Sequence, residues 1–255
     1  MQVMITRPAE DGAPLAAALN ARGIDTLIVP LMTIVHQPGP PLDLTGVQAL
    51  LVTSANGVRA FAARNVQRDP IVCAVGQATA HAARDAGFLR IATAAGDVDS
   101  LADMVRRALD PAGGALLHVA GSTLAGDLAG QLRDAGYCCR REVVYEALKV
   151  ERLPENAAAR LREAALDGVV FYSPRTARIF VELAGSAALA AQCATMTAWC
   201  LSAAVAEQAQ AMTWRRVVVA ARPDSVAMIE GIARSADGAG RAGPDFVSPR
   251  RSFPC

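Results

Sequence analysis

The sequence predicts an α/β protein built of two similar three-layer domains, each with parallel strands between helices. Three observations carry this expectation. Apolar runs of four to six residues alternate with Ala-rich segments of helical spacing. The length of 255 residues suits two domains of roughly 110–120 residues better than one. The chain also repeats itself, which is the signature of internal duplication. Leu51-Val52-Thr53-Ser54-Ala55-Asn56-Gly57-Val58-Arg59-Ala60-Phe61 returns as Val170-Phe171-Tyr172-Ser173-Pro174-Arg175-Thr176-Ala177-Arg178-Ile179-Phe180. Both copies read as an apolar strand, a Ser turn and a helix with Phe at the same offset. Around this pair, Val3-Met4-Ile5-Thr6-Arg7-Pro8 resembles Leu117-His118-Val119-Ala120-Gly121-Ser122, and Ala74-Val75-Gly76-Gln77-Ala78-Thr79 resembles Trp199-Cys200-Leu201-Ser202-Ala203-Ala204.

The elements follow in order. Residues 2–6 form the first strand, since Val3-Met4-Ile5 is apolar up to the polar turn Thr6-Arg7-Pro8. Between Pro14 and Arg22, Leu15, Ala18 and Leu19 have helical spacing, and Gly23 closes the helix. Residues 26–30 are the second strand. The pattern then loosens over Leu31 to Leu42, beside Pro30, Pro38, Pro40 and Pro41. Strands resume at 49–53, 71–75, 115–120 and 142–147, with helices between; Leu128, Leu132 and Gly136 repeat the helix-and-stop arrangement. Leu148 to Pro154 loosens again, and these two segments are candidate interdomain crossings. The remaining strands are 168–172, 197–201 and 216–220. Leu183 to Ala206 carries no charge and is long enough to span a bilayer. Its Ala, Ser, Thr and Gly content and the Gly185-Ser186 turn read instead as helix end, loop, strand and helix. Residues 235–255, rich in Gly, Pro, Ser and Arg, read as a disordered tail.

Composition excludes several function classes. With 53% hydrophobic but 4% aromatic residues, the core is built of Ala, Val and Leu. A net charge of +1 argues against nucleic acid as a partner. The six cysteines include no C-x-x-C pair and no zinc spacing, so reduced structural thiols and no metal site are expected. There is no G-x-G-x-x-G dinucleotide fingerprint. The apolar start before Arg7 is too short for a secretory signal, giving a cytoplasmic expectation. No large apolar surface pattern stands out, so a monomer with no membrane contact is expected.

An ordered set of short motifs resembles the uroporphyrinogen-III synthase family. It comprises Ile5-Thr6-Arg7-Pro8, Val52-Thr53-Ser54-Ala55-Asn56-Gly57-Val58, Ala74-Val75-Gly76-Gln77-Ala78-Thr79-Ala80, Gly121, Gly136, Val143-Val144-Tyr145, Tyr172-Ser173-Pro174 and Pro223-Asp224-Ser225. The set covers residues 2 to about 232. The resemblance implies a cofactor-free lyase of haem biosynthesis that closes a linear hydroxymethylbilane, with loss of water and inversion of the last ring. It further implies a segment swap: residues 1–35 plus 148–234 form one domain, 36–147 the other, joined by the two loosened segments. The implied partners are a polycarboxylate tetrapyrrole substrate and, by hand-over, the preceding bilane-forming enzyme.

A substrate with many carboxylates calls for donors and positive potential. Helix N-termini supply both, and in open α/β sheets they gather at the carboxyl ends of the strands. The candidate binding residues at these turns are Thr6 and Arg7; Thr53, Ser54, Ala55 and Asn56; Gly76, Gln77 and Thr79; Gly121 and Ser122; Ser173 and Arg175; and Ser202. Each Ser, Thr or Asn serves equally well as an ordinary helix N-cap. Arg7 and Arg175 fit either a bidentate carboxylate clamp or a solvated surface charge. Tyr145 is the catalytic candidate: it matches the family's tyrosine associated with loss of the hydroxyl, and phenols hold their proton at neutral pH. The competing role is packing in a hinge. His36, His81 and His118 are isolated and read as structural.

Two positions depart from the family pattern. Leu201-Ser202-Ala203-Ala204 stands where the family shows Gly followed by a Thr pair, and Ala120-Gly121 replaces a common Arg-Gly. Three readings therefore stand at this stage: an active synthase, a catalytically silent tetrapyrrole-binding or regulatory relative, and a hinge-type receptor for another small acid.

Overall fold

The computed structural model describes residues 1–123 and 126–238. Its first elements are β1 (Gln2–Ile5), α1 (Ala9–Asn20), β2 (Asp25–Ile28), β3 (Met32–His36), β4 (Val47–Val52), α2 (Ala55–Arg64), β5 (Ile71–Ala74), α3 (Gln77–Asp85), β6 (Ile91–Thr93) and α4 (Val98–Ala108). After a short 3-10 turn come β7 (Ala115–Gly121), α5 (Leu128–Asp134), β8 (Cys139–Lys149), α6 (Glu155–Arg162), β9 (Gly168–Phe171) and α7 (Pro174–Ser186). The last are α8 (Ala190–Cys193), β10 (Thr197–Cys200), α9 (Ala203–Ala209), β11 (Arg216–Val219) and α10 (Ser225–Gly238).

The chain divides into two compact units, Met1–Val29 with the chain from Pro154 onward, and Pro30–Leu153. In the first, five parallel strands lie in the order β11-β10-β9-β1-β2. In the second, six strands lie in the order β3-β8-β7-β4-β5-β6, parallel except where β3 meets β8. The repeat is visible here as topology. The sheet order β8-β7-β4-β5-β6 matches β2-β1-β9-β10-β11 strand for strand, and the sequence pairs β4 with β9, β5 with β10 and β7 with β1. One copy is thus completed by strands from the far end of the chain.

Burial explains the strand runs. Val3, Met4 and Ile5 of β1 and Val169, Val170 and Phe171 of β9 are fully buried, as expected for parallel strands covered on both faces. In the second unit one face packs Leu50, Val52, Phe61, Val119 and Tyr145, the other Ala49, Leu51, Leu101, Leu116 and Leu132. Helix starts are chemically marked: Ser54 and Ser173 cap α2 and α7, and Asp97 with Ser100 forms a capping box on α4.

Four expectations need correction. First, α1 begins at Ala9 rather than Pro14, because Pro8 and the acidic Glu10 and Asp11 make a favourable first turn that tolerates Pro14 inside the helix. Second, the stretch after Pro30 is not loose: β3 pairs antiparallel with the far half of β8, His36 opposite Tyr145 and Met32 opposite Lys149, so this sheet is mixed. Thr33, His36 and the exposed edge position hide β3 from a sequence reading, and β6 is hidden separately by its length of 3 residues. Third, this ladder holds both segments in one unit, which moves the division to Val29/Pro30 and Leu153/Pro154 from residues 35/36 and 147/148. Fourth, α10 continues through Gly238, into the stretch read as tail; residues 239–255 lie outside the described residues. The uncharged stretch resolves into the end of α7, α8, β10 and the start of α9. Among the described residues no helix is long and apolar enough to cross a membrane.

The proline-flanked connection before β4 is fastened by Arg64, which donates to the Pro40 carbonyl at 3.1 and 2.7 Å, and at its buried end by Asn65. Asn65, 1% exposed, accepts from the Leu42 N–H and donates to the Leu42 carbonyl, both at 3.0 Å. Asn65→Ala leaves two buried backbone groups unpaired and is expected to cost about 2–3 kcal/mol in urea unfolding. An unchanged midpoint would show that water satisfies Leu42 instead.

Candidate functional site

Turns at the carboxyl ends of the parallel strands place the candidate residues, and each unit carries its own set. In the second unit β4 ends at Val52, and Ser54 Oγ accepts the Asn56 N–H at 3.1 Å. That bond uses the Asn56 amide, while its side chain accepts from Arg59 at 3.1 Å. Ser54 keeps its hydroxyl proton, and Ala55 opens α2. One strand over, Gly76 caps α3 without any side chain, so the first turn at Gln77 presents N–H groups that no side chain caps. Gln77 is exposed, but Thr79 is 5% exposed, which leaves only its main chain for a ligand.

Tyr145 stands between β7 and β3. The β7–β8 register slips so that Ala120 faces Val143 and Gly121 faces Tyr145, leaving Val144 as the extra residue of a bulge. Both Val144 and Tyr145 are consequently buried in sequence, and the ring packs in the core cluster beneath α2. Two glycines admit it. A Cβ on Gly121 would lie 2.7 Å from Tyr145 Cζ and 2.9 Å from its Oη, and one on Gly57 would meet the Val119 carbonyl at 3.0 Å. The ring is 9% exposed, and among the described residues its hydroxyl takes no hydrogen-bond partner. Ser122 donates its N–H to the Tyr145 carbonyl at 3.0 Å and leaves its hydroxyl exposed. Arg141, also on β8, donates to the Gly121 and Ser122 carbonyls at 2.8 and 3.2 Å and so fixes the turn after β7.

His118 lies on β7 with 1% exposure. Its Nε2 is 3.5 Å from Thr53 Oγ1, and its Nδ1 has no partner. Burial first, then the charge of Arg141, pushes its pKa down from 6.5 to about 4. The unfolded chain therefore binds a proton here that the folded chain refuses between those values. Stability contributed by neutral His118 is complete above pH 6.5 and lost as pH falls toward 4, by ~3 kcal/mol in total. Urea midpoints across that window check this; His118→Gln should flatten the slope.

In the first unit the residues are more heavily engaged. Thr6 is 1% exposed and its hydroxyl donates to the Val170 carbonyl at 2.8 Å, tying β1 to β9 rather than facing a ligand. Arg7 pairs with Asp11 at 3.4 Å and lies 4.2 Å over the Tyr172 ring, so its charge is already answered in place. Ser173 Oγ accepts the Thr176 N–H at 3.1 Å and bonds the Thr176 hydroxyl at 2.7 Å. Arg175 is half-buried and engaged within the protein. Ser202 begins α9 with no cap bond from its side chain.

The model of the family described as uroporphyrinogen-III synthase HemD matches residues 13–230. The chain belongs to the uroporphyrinogen-III synthase family. A uroporphyrinogen-III synthase from Chlorobaculum parvum is 30% identical over 203 residues, 72% of this chain and 79% of the relative. A mutant uroporphyrinogen III synthase from Thermus thermophilus superposes with a TM-score of 0.56 at 18% identity, covering 93% of this chain and 99% of that one. A uroporphyrinogen-III synthetase from Helicobacter pylori gives 0.57 at 18% identity, over 92% and 99%. At such identity the two structures speak for the fold alone.

Within this uroporphyrinogen-III synthase family member, the Leu201 departure is absorbed locally, because Leu201 is half-buried and packs against the core of the first unit. Among the described residues no group of His, Cys, Asp and Glu could hold a metal ion. Cys73, Cys139 and Cys193 are buried, with thiols pushed up to about 11, and Cys200 to about 12, by burial. Such thiols are unreactive. The residues that sequence reasoning missed are Gly57, Arg141 and His118. Only His118 left a signal, as a lone polar residue inside the apolar run Leu116-Leu117-His118-Val119-Ala120.

Proposed function

We propose that this chain is an active uroporphyrinogen-III synthase, a cyclising carbon–oxygen lyase of haem biosynthesis that works without cofactor. The family match across residues 13–230 carries this reading. It acts as a cytoplasmic monomer on hydroxymethylbilane handed over by the enzyme that makes it. The uncapped N–H groups at Gly76-Gln77, with Ser54 and Ala55, take substrate carboxylates; Gly121 and Ser122 border the reacting end beside Tyr145. As the pyrrole nitrogen pushes electrons toward the hydroxymethyl carbon, the Tyr145 phenol gives its proton to the departing hydroxyl, and water leaves. The substituted carbon of the last ring then attacks that cation to form a spiro intermediate; the ring's old bridge bond breaks and re-forms at its free carbon, inverting the ring, and the proton lost there returns to the Tyr145 phenolate. Positioning supplies most of the selectivity, because holding the chain in one reactive geometry removes the competing direct closure.

The Leu201-Ser202-Ala203-Ala204 departure favours a second reading, a catalytically silent tetrapyrrole-binding relative. Feeding the purified chain with hydroxymethylbilane and resolving the porphyrin isomers separates the two. The asymmetric type III isomer is expected; formation of the symmetric isomer alone would end the synthase reading.

A further inference from the structure

We infer that His118 is a positioning residue, whose Nε2–H is donated to Thr53 Oγ1 so that the Thr53 hydroxyl proton is left for a carboxylate of the substrate. The inference rests on the synthase reading for the identity of that substrate. His118 sits in a strand whose neighbours Leu116, Leu117, Val119 and Ala120 are each at most 1% exposed. An imidazole in such surroundings costs free energy unless it is bonded. Its one polar neighbour among the described hydrogen bonds is Thr53 Oγ1, at 3.5 Å. The low pKa keeps the ring neutral, so one nitrogen carries a proton and the other a lone pair.

The tautomer follows from what each nitrogen faces. Nδ1 is buried without a partner, and orphaned N–H groups are rarer in protein interiors than under-used acceptors. The proton therefore belongs on Nε2, toward Thr53. A hydroxyl that accepts from an imidazole has its single proton free, and the chain of two bonds strengthens each. Thr53 lies just past the end of β4 and directly before the Ser54 cap of α2, so its proton and the Ala55 N–H serve one anion, the Asn56 and Gly57 amides being bonded to Ser54. At 3.5 Å the contact is long, and the inference requires it to shorten when the Thr53 proton engages a substrate carboxylate.

The test is a double-mutant cycle of His118→Phe with Thr53→Val on the full chain. Each single change is expected to raise KM for hydroxymethylbilane about three- to tenfold with little change in kcat. The double variant should be no worse than Thr53→Val alone, and His118→Gln, which restores an N–H, should recover most of the loss. A purely structural role for His118 would instead give additive losses, no rescue by Gln, or a lowered melting temperature with KM unchanged; any of these overturns the inference. Should His118→Phe not fold, His118→Leu completes the same cycle. Fluorescence titration of the variants with uroporphyrin III reads the coupling without turnover. A wild-type chain that makes only the symmetric isomer yet shows the coupled Kd changes would sink the synthase reading and leave the His118 role standing.

Discussion

Tyr145→Phe is expected to lower kcat by about 10²–10⁴-fold, the usual worth of a general acid in the transition state. KM should move little, because in the proposed reaction the phenol is called upon only as the hydroxyl departs. Stability should also move little, since the buried ring is kept and among the described residues its hydroxyl bonds nothing. Steady-state isomer assays and a thermal melt check both halves. Turnover within about twofold of wild type would show that Tyr145 packs and does not donate.

Gly121→Ala is expected to damage both properties together. The new Cβ would fall 2.7 Å from Tyr145 Cζ and 2.9 Å from Cε2 and Oη. The ring has little room to yield, with Gly57 of α2 on one side and the Val144 bulge fixing its backbone. Overpacking of this kind costs about 1–3 kcal/mol. Moving the phenol by an ångström is expected to lower turnover on the order of 10²-fold. In a Tyr145→Ala background the stability cost should vanish, because the colliding ring is gone. A cost that persists there would place the strain in the backbone rather than against Tyr145.

The two residues show how far sequence reading reaches. Tyr145 is legible as a tyrosine within a predicted strand and a recognisable motif order, and β8 runs on past it to Lys149. The partnership of Tyr145 with Gly121 is not legible, because it depends on a one-residue slip between β7 and β8 that no local pattern announces. The same holds for the first-unit candidates. Thr6 and Arg7 stand at the expected turn, but the Val170 carbonyl and Asp11 that claim them come from register and helix rotation. The strand β3 was hidden because an exposed edge strand needs no apolar alternation; its partner β8 supplies the hydrogen bonds.

The sequence by itself determined the duplicated α/β plan, the positions of nine strands to within a few residues, and the family. These features rest on local chemistry: apolar runs that must be buried, cap residues that start helices, and glycines that end them. Tertiary structure decided which donors remain open. Whether a hydroxyl or guanidinium is free depends on what neighbouring strands and helices bring within about 3 Å of it, and residues far apart in the chain make that choice. Thus Ser54 and Gly76 keep donors available, Thr6 does not, and His118 stands behind Thr53 across 65 residues of chain.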